Sequence, residues 1–244
     1  MKEINRNKSK IYTLNGKKIV SKYYEKPIFL HRELFFYDLF KKNNLIKTPE
    51  IHNWKGINLQ TYFIETEKKN VYQTIKDWAK VHDYFIKNPL EKNKLLINHN
   101  FEEVVSYIFE NLNVFGDLKK VVENKLHNKK INKNISTILH GDMQNKNMMT
   151  FQGDNYYFDF EIGGIGHPGR DVASMIISNP NKKKEIIKSY KESVGFNYRG
   201  MEEDLETWLV ARTAQLYAIF NKKLKSNEQK KDLKDKLFWI IEDL

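Results

Sequence analysis

The sequence has no cysteine and no long apolar run. Without cysteine the chain cannot form disulfides, thiolate metal sites or a cysteine nucleophile, and this agrees with a reducing compartment. No apolar run is long enough to span a bilayer, and the charged residues 1–10 lack the apolar core of a signal peptide. We therefore expect an unprocessed cytoplasmic protein without a membrane partner.

Linkers rich in proline, glycine or serine are also missing, as are internal repeats. The 244 residues, 40% of them hydrophobic and 13% aromatic, are enough to bury a substantial core in one large domain or in two lobes. The chain is therefore expected to form one unit rather than separate tethered domains.

The chain carries a formal net charge of +11. Such an excess could serve a nucleic-acid or membrane partner, but the lysines are scattered, with their densest runs at residues 182–184, 222–225 and 230–236. No basic stripe is interleaved with aromatic residues in the way that marks a surface on which bases stack. The pattern favours a solvated basic surface over a nucleic-acid partner.

A predicted hairpin carries the most informative polar residues. Strand-like runs at residues 148–151 and 156–160 flank a short segment with the Gly, Asp and Asn chemistry of a tight turn. Asp142, Asn147 and Asp159 would then emerge near the same end of a two-stranded ribbon.

These three residues suit phosphoryl transfer from a nucleotide. That reaction needs a carboxylate that orients an attacking hydroxyl and accepts its proton, and oxygen ligands for the magnesium ion that bridges the phosphates. Asp142 suits the first role, and Asn147 and Asp159 suit the second. The competing interpretation is an ordinary hairpin with a polar turn.

The motifs resemble the catalytic segment of the aminoglycoside phosphotransferase and choline kinase family: His-Gly-Asp at 140–142, Asn147, and Asp-Phe-Glu at 159–161. The resemblance implies an α+β, protein-kinase-like fold of two lobes. A small antiparallel-sheet lobe that binds nucleotide would span 1–66, and a mainly helical lobe 67–244. It also implies transfer of the γ-phosphate of ATP or GTP to a small-molecule hydroxyl with Mg²⁺.

The first lobe should begin with a hairpin, because Asn15-Gly16 is a favoured two-residue turn between strands at 10–14 and 18–24. A helix over residues 28–42 follows. The resemblance implies a strand lysine that grips the phosphates and a helix glutamate that holds this lysine, for which Lys22 and Glu33 are the candidates. Lys18 is the main competitor of Lys22.

Further nucleotide contacts follow from the resemblance by position alone. A strand over residues 59–65 should lead into the segment whose backbone binds adenine, which makes Ile64 and Glu65 the implied edge. Family members often carry a glycine-containing phosphate loop before the first hairpin, but residues 5–10 contain no glycine. Ser9 is the candidate phosphate contact there.

A literal Gly-x-Gly-x-x-Gly occurs at Gly164, Gly166 and Gly169. The dinucleotide-binding fingerprint should lie in a parallel βαβ unit, but here a helix-like stretch with lysines follows and Pro168 interrupts the turn, so we do not expect a dinucleotide site. Asp171 better resembles the family's aspartate that starts a helix and supports the catalytic loop. A plain helix cap predicts nearly the same structure.

The spacing also separates this chain from protein kinases. Those place an arginine before the catalytic aspartate and a long segment after their Asp-Phe-Gly, whereas this chain has Gly141 before Asp142 and only residues 162–170 between Glu161 and Asp171. This leaves no room for an activation loop and a peptide platform. We therefore expect a small-molecule hydroxyl acceptor.

The acceptor stays open at this stage. An aminoglycoside would require carboxylates, and residues 202–206 hold four of them, although a helix N-terminus also favours acidic residues. Choline would require an aromatic cage. The aromatic candidates, each of which also fits a helix packing stripe, are Trp78, Trp208, Tyr217 and Trp239. Sugars, thiamine and other alcohols are equally allowed.

The strongest alternative from another class is a catalytically silent, basic binding protein with the same fold, with RNA as its candidate partner. The glycine-free segment at residues 5–10 favours it mildly. The intact set of Asp142, Asn147 and Asp159 argues against it.

Overall fold

The structure is a computed structural model. It describes residues 7–14, 17–24, 26–54, 57–61, 70–91, 93–222 and 226–242. Within these ranges the strands are β1 (Asn7–Leu14), β2 (Lys17–Tyr24), β3 (Ile51–Trp54), β4 (Ile57–Thr61), β5 (Ile97–His99), β6 (Thr137–Leu139), β7 (Met148–Phe151), β8 (Asp154–Tyr157) and β9 (Gly164–Gly166). The α-helices are α1 (Pro27–Asn43), α2 (Val71–Lys87), α3 (Phe101–Glu110), α4 (Lys119–Leu126), α5 (Gly169–Ser178), α6 (Lys183–Ser193), α7 (Met201–Asn221) and α8 (Asn227–Glu242).

The first part of the chain forms a four-stranded antiparallel sheet in the order β1-β2-β4-β3. Helix α1 lies between β2 and β3 in the chain and begins at Pro27, which is tolerated there because the first helical N–H has no partner within the helix. The β1–β2 register places Ser9 opposite Lys22 and Lys18 opposite Thr13. Strand β1 begins three residues before the predicted start, so Ser9 lies within a strand.

From Val71 onward the chain is mainly helical, with the three-stranded sheet β5-β9-β6 and the hairpin β7-β8 set among the helices. This is the α+β arrangement that the sequence predicts. None of the helices in the described ranges is both long and apolar enough to cross a membrane. The expected boundary near residue 66 falls in residues 62–69, outside the described residues, so the division into 1–66 and 67–244 stays a prediction.

The hairpin β7-β8 brings the two ends of the predicted ribbon together. Its turn residues Gln152 and Gly153 have φ values of 51° and 79°, the left-handed pair that a two-residue hairpin turn requires. At the open end the N–H of Phe158 donates to the carbonyl oxygen of Asn147 at 3.2 Å. Asn147 and Asp159 therefore leave the ribbon at the same end, as predicted.

An aromatic cluster joins α1 to the residues around the hairpin. The ring of Phe160 is fully buried and lies 5.3 Å from the rings of both Phe36 and Phe40 and 4.6 Å from that of His140. Trp78 of α2 completes the cluster at 6.4 Å. Burying large aromatic rings contributes most of the stabilisation in such a core, so this cluster fixes α1 against the segment that carries Asp159.

The glycine-rich segment forms a strand with close neighbours. A Cβ built on Gly164 would lie 2.0 Å from the carbonyl oxygen of Ile97, and one on Gly166 would lie 2.8 Å from that of His99. Glycine is thus needed at positions 164 and 166, because β9 runs between β5 and β6 and the neighbouring atoms leave no room for a Cβ at these two positions. The absence of a dinucleotide site here stays a prediction.

Candidate active site

Lys22 is the centre of a charged cluster. Its Nζ lies 2.9 Å from Oε2 of Glu33, 2.7 Å from Oδ1 of Asp159 and 2.9 Å from Oε1 of Glu161. The residue is only 8% exposed. The structure thereby brings together Lys22, Glu33 and Asp159 of the predicted site, and it adds Glu161, the last residue of the Asp-Phe-Glu motif.

Glu33 holds this cluster in place from α1. It is completely buried, and its carboxylate accepts hydrogen bonds from the hydroxyl of Tyr24 and, at 2.7 Å, from that of Tyr37. The backbone N–H of Asp159 also donates to it at 3.3 Å. Glu33 therefore connects the strand that carries Lys22 to the segment that carries Asp159, and it orients Lys22.

The charges in the cluster shift one another. Burial disfavours the charge on Lys22, but Glu33 and Asp159 outweigh this effect and raise its pKa. Burial would raise the pKa of Asp159, yet Lys22 lowers it below its ordinary value. Burial raises the pKa of Glu161 to about 7 against the opposing effect of Lys22. We infer that Lys22 and Asp159 are charged at neutral pH.

Asp159 has a backbone conformation that few residues adopt. Its φ of 69° lies in the left-handed region, which Asp tolerates better than bulkier residues do. The residue follows directly on Phe158, whose carbonyl oxygen is 3.0 Å from Nε2 of His140. The turn directs the N–H of Asp159 to Glu33 and its carboxylate to Lys22.

Asp142 and Asn147 form a second cluster. The Nδ2 of Asn147 donates to the backbone oxygen of Asp142 at 2.7 Å and to its Oδ2 at 3.2 Å. Nε2 of Gln144 donates to Oδ1 at 2.7 Å, and Nζ of Lys146 is 3.2 Å from Oδ2. The side chain of Asp142 is 19% exposed, so the carboxylate is held in place and still reaches solvent.

Asp171 anchors the loop that carries Asp142. Its carboxylate accepts the N–H of His140 at 2.7 Å and that of Gly141 at 3.0 Å, and it is fully buried. The carboxylate lies at the start of α5 but bonds to another loop, so a plain helix cap does not describe it. This is the supporting arrangement that the resemblance implies for Asp171.

Gly141 fits where no other residue would. Its φ is 84°, and a Cβ built on it would lie 2.1 Å from the backbone oxygen of Ile162 and 3.2 Å from Nε2 of His99. Glycine at this position therefore lets the loop that carries Asp142 lie against the backbone of Ile162, the residue after the Asp-Phe-Glu motif.

Arg212 is a contact of this loop that the sequence does not point to. Its Nη2 lies 3.6 Å from Oδ1 of Asp142 and 3.4 Å from the backbone oxygen of Gly141. It comes from α7, seventy positions after Asp142, within a pattern that indicates only a packed helix. Burial lowers the pKa of Arg212 while Asp142 and Asp171 oppose the shift.

The charged cluster and Asn147 contain oxygen atoms that could act as ligands of a divalent cation. Carboxylate oxygens of Glu33, Asp159 and Glu161 lie within 4.8 Å of one another. Asn147 uses its Nδ2 to bond Asp142, which leaves its amide oxygen as the group that could face a metal. Carboxylate and amide oxygens are the ligands that magnesium prefers.

The remaining predicted nucleotide contacts are placed only in part. Ser9 is opposite Lys22 in the β1–β2 register, one strand away from the charged cluster. Ile64 and Glu65 lie outside the described residues. These three assignments stay predictions.

The architecture is shared with solved structures of small-molecule kinases. Aminoglycoside phosphotransferase APH(4)-Ia, as a thermostable mutant, matches over 100% of this chain and 93% of its own, with a TM-score of 0.72 and 9% identity. The amicoumacin kinase hAmiN matches over 98% and 86%, with a TM-score of 0.70 and 13% identity. Choline kinase LicA from Streptococcus pneumoniae matches over 100% and 92%, with a TM-score of 0.64 and 13% identity.

The chain has the fold of the aminoglycoside phosphotransferases and choline kinases. At 9% to 13% identity these likenesses show the fold. They confirm the predicted two-part, kinase-like α+β architecture. No protein-family model matches the sequence, and no curated protein matches it either.

Asp171→Asn should lower the free energy of unfolding by about 3–5 kcal/mol, because the amide offers one acceptor oxygen to two backbone N–H donors and removes a buried charge. Urea unfolding followed by circular dichroism measures the change. Asp154→Asn is the matched control, since Asp154 forms an exposed ion pair with Lys47, and it should cost less than about 1 kcal/mol. Equal unfolding midpoints for the two variants would show that Asp171 does not anchor the loop.

Proposed function

We propose that this protein is a magnesium-dependent kinase that moves the γ-phosphate of ATP or GTP to a hydroxyl of a small molecule. The observation that carries this proposal is the contact between the Lys22–Glu33 ion pair and Asp159, across two distant parts of the chain. Phosphoryl transfer needs this set of groups beside a base such as Asp142. The shared fold supports the proposal, since hAmiN has been solved with AMP-PNP and Ca²⁺.

In the proposed reaction Lys22 binds the nucleotide phosphates, and Glu33 keeps its ammonium group in position. Asp159 and the amide oxygen of Asn147 would hold magnesium, with Glu161 close enough to take part. Magnesium, when bound, neutralises charge that develops on the transferring phosphoryl group. Ser9, Ile64 and Glu65 remain the proposed contacts at the phosphate and adenine ends of the nucleotide.

Asp142 is the proposed base. Its carboxylate is held by Gln144, Asn147 and Arg212 and still reaches solvent. A base fixed in this way aligns the acceptor hydroxyl with the phosphorus and accepts its proton as the new bond forms. The catalytically silent alternative gains nothing from such an arrangement, so we favour catalysis.

The surroundings of the acidic residues bear on the acceptor. Glu202 pairs with Lys191 and Glu203 pairs with Lys129. Asp204 accepts a hydrogen bond from the hydroxyl of Tyr198 and is mostly buried. Three of the four carboxylates proposed for an aminoglycoside thus already have partners within the protein, which favours the structural explanation of this cluster.

The aromatic candidates for a choline cage are also mostly occupied by packing. Trp78 and Trp208 are almost completely buried, and Tyr217 is 5% exposed and stacks on Phe115. Trp239, which is 43% exposed, is the member of this set that could meet a ligand. An acceptor screen should therefore give neutral sugars and other alcohols the same weight as aminoglycosides, choline and thiamine.

Asp142→Asn should fold normally, bind magnesium nucleotide and transfer phosphate about 10² to 10⁴ times more slowly, because it keeps the shape of the base and removes its charge. Transfer from labelled ATP and GTP is measured across the acceptor screen, first with the unchanged protein. Full activity of the variant on an identified acceptor would rule Asp142 out as the base. Salt-sensitive RNA binding without any nucleotide turnover would instead favour the silent binding protein.

Asp159→Asn should weaken magnesium-dependent nucleotide binding by at least about tenfold and remove most turnover, because a carboxylate ligand is lost. Asn147→Ala should act in the same direction more mildly, since it removes a neutral ligand. Titration calorimetry with the nucleotide, with and without magnesium, separates the metal effect from a general loss of affinity. Unchanged magnesium-nucleotide affinity and rate in Asp159→Asn would contradict the metal assignment.

Lys22→Met should reduce kcat/KM by about 10² or more, since the phosphates lose their cation. Lys18→Met is the control on the same strand and should be nearly silent, because Lys18 is four residues away along β2. Steady-state rates with saturating acceptor decide between the two lysines. A large loss at Lys18 together with none at Lys22 would transfer the phosphate role to Lys18.

A further inference from the structure

Arg212 lies behind the catalytic loop, on the side away from solvent. Its side chain is only 5% exposed, and its guanidinium contacts Oδ1 of Asp142 and the backbone oxygen of Gly141. By contrast, Lys146, another cation near Asp142, is 64% exposed and approaches Oδ2. The two oxygens of the proposed base therefore have different surroundings.

The guanidinium of Arg212 is itself fixed by two helices. Nε donates to Oγ of Ser174 on α5 at 3.4 Å, and Nη1 donates to Oε1 of Gln215 on α7 at 2.8 Å. A planar fork of donors can serve a carboxylate, a backbone oxygen and two side chains at once, which the point charge of a lysine cannot do. The α5–α7 pair thus extends a rigid support to the catalytic loop.

We infer that Arg212 is a positioning residue for phosphoryl transfer: it fixes Oδ1 of Asp142 from the protein interior so that Oδ2 faces the acceptor hydroxyl. This role rests on the proposed function. Oδ1 receives Gln144 and Arg212, whereas Oδ2 meets Asn147 and the exposed Lys146. Oδ2 is therefore the oxygen that an acceptor can reach and to which the hydroxyl proton passes.

The burial of Arg212 argues for this role over simple packing. A buried charge is costly unless it is paired and hydrogen-bonded, and Arg212 forms an ion pair with the proposed base. Burial lowers the pKa of Arg170, a second buried arginine, and the nearby charge of Arg212 lowers it further. Burial lowers the pKa of Arg212, and the charge of Asp171 opposes this shift. The interior therefore places an arginine where it constrains the reacting carboxylate.

The test uses Arg212→Lys and Arg212→Met, assayed with an acceptor identified by the screen. We expect kcat to fall about 10- to 100-fold in Arg212→Met, as for a misplaced catalytic group, with the KM for nucleotide unchanged. Arg212→Lys should keep part of the rate, because lysine retains the positive charge. It should not keep the full rate, because lysine lacks the planar set of donors of the guanidinium. Asp154→Asn, which removes only an exposed ion pair with Lys47, is the control and should keep kcat within about twofold.

A double-mutant cycle separates positioning from a structural role. If Arg212 acts through the carboxylate of Asp142, Arg212→Lys should have little further effect on kcat in the Asp142→Asn background. Two results would overturn the inference. One is a correctly folded Arg212→Lys variant with normal kcat, and the other is an Arg212→Lys change that lowers kcat by the same factor in the unchanged protein and in Asp142→Asn. If Arg212→Met does not fold, Arg212→Lys and the double-mutant cycle still test the inference. Absence of transfer to every acceptor by the unchanged protein would instead contradict the proposed function.

Discussion

The arrangement of this molecule depends on one buried cation. Lys22 from the first sheet meets carboxylates from α1 and from the segment after β8, so three separate stretches of chain are joined at a single Nζ. Taking an ammonium group out of water is expensive, and the carboxylates offset that cost only while they stay within about 3 Å. The position of α1 is therefore coupled to the electrostatics of the site as well as to its aromatic packing.

A second support acts from the opposite side. Asp171 accepts hydrogen bonds from the backbone of the loop that carries Asp142. Arg212 contacts the carboxylate of Asp142 and the backbone oxygen of Gly141. These residues come from α5 and α7, the helices that pack behind the loop. In the proposed function the first support gathers the groups for nucleotide and metal, and the second fixes the group for the acceptor. The two meet through Phe158, which bonds to Asn147 and contacts His140.

Much of this could be predicted from the sequence because local chemistry determines it. The polar turn predicted the hairpin β7-β8, and the helix predicted over residues 28–42 agrees with α1 to within one residue at each end. The Lys22–Glu33 pair was an implication of the family resemblance, which the order of lysine strand and helix supports. The sheet β5-β9-β6 was not predicted, since three-residue strands carry no periodic signal and their pairing is set by distant contacts. Arg212 was missed for a related reason, because a buried arginine on a helical stripe looks like packing until the fold shows what it faces.

Gly141, the residue before Asp142, stands where protein kinases have an arginine that takes part in regulation. Protein kinases use an arginine at that place to sense a phosphorylated loop. Here any side chain would collide with the backbone oxygen of Ile162, and the left-handed φ of Gly141 would be strained as well. An arginine at position 141 would require the turn that carries Ile162 toward β9 to move first. This loop geometry therefore excludes a phosphate-sensing arginine at position 141.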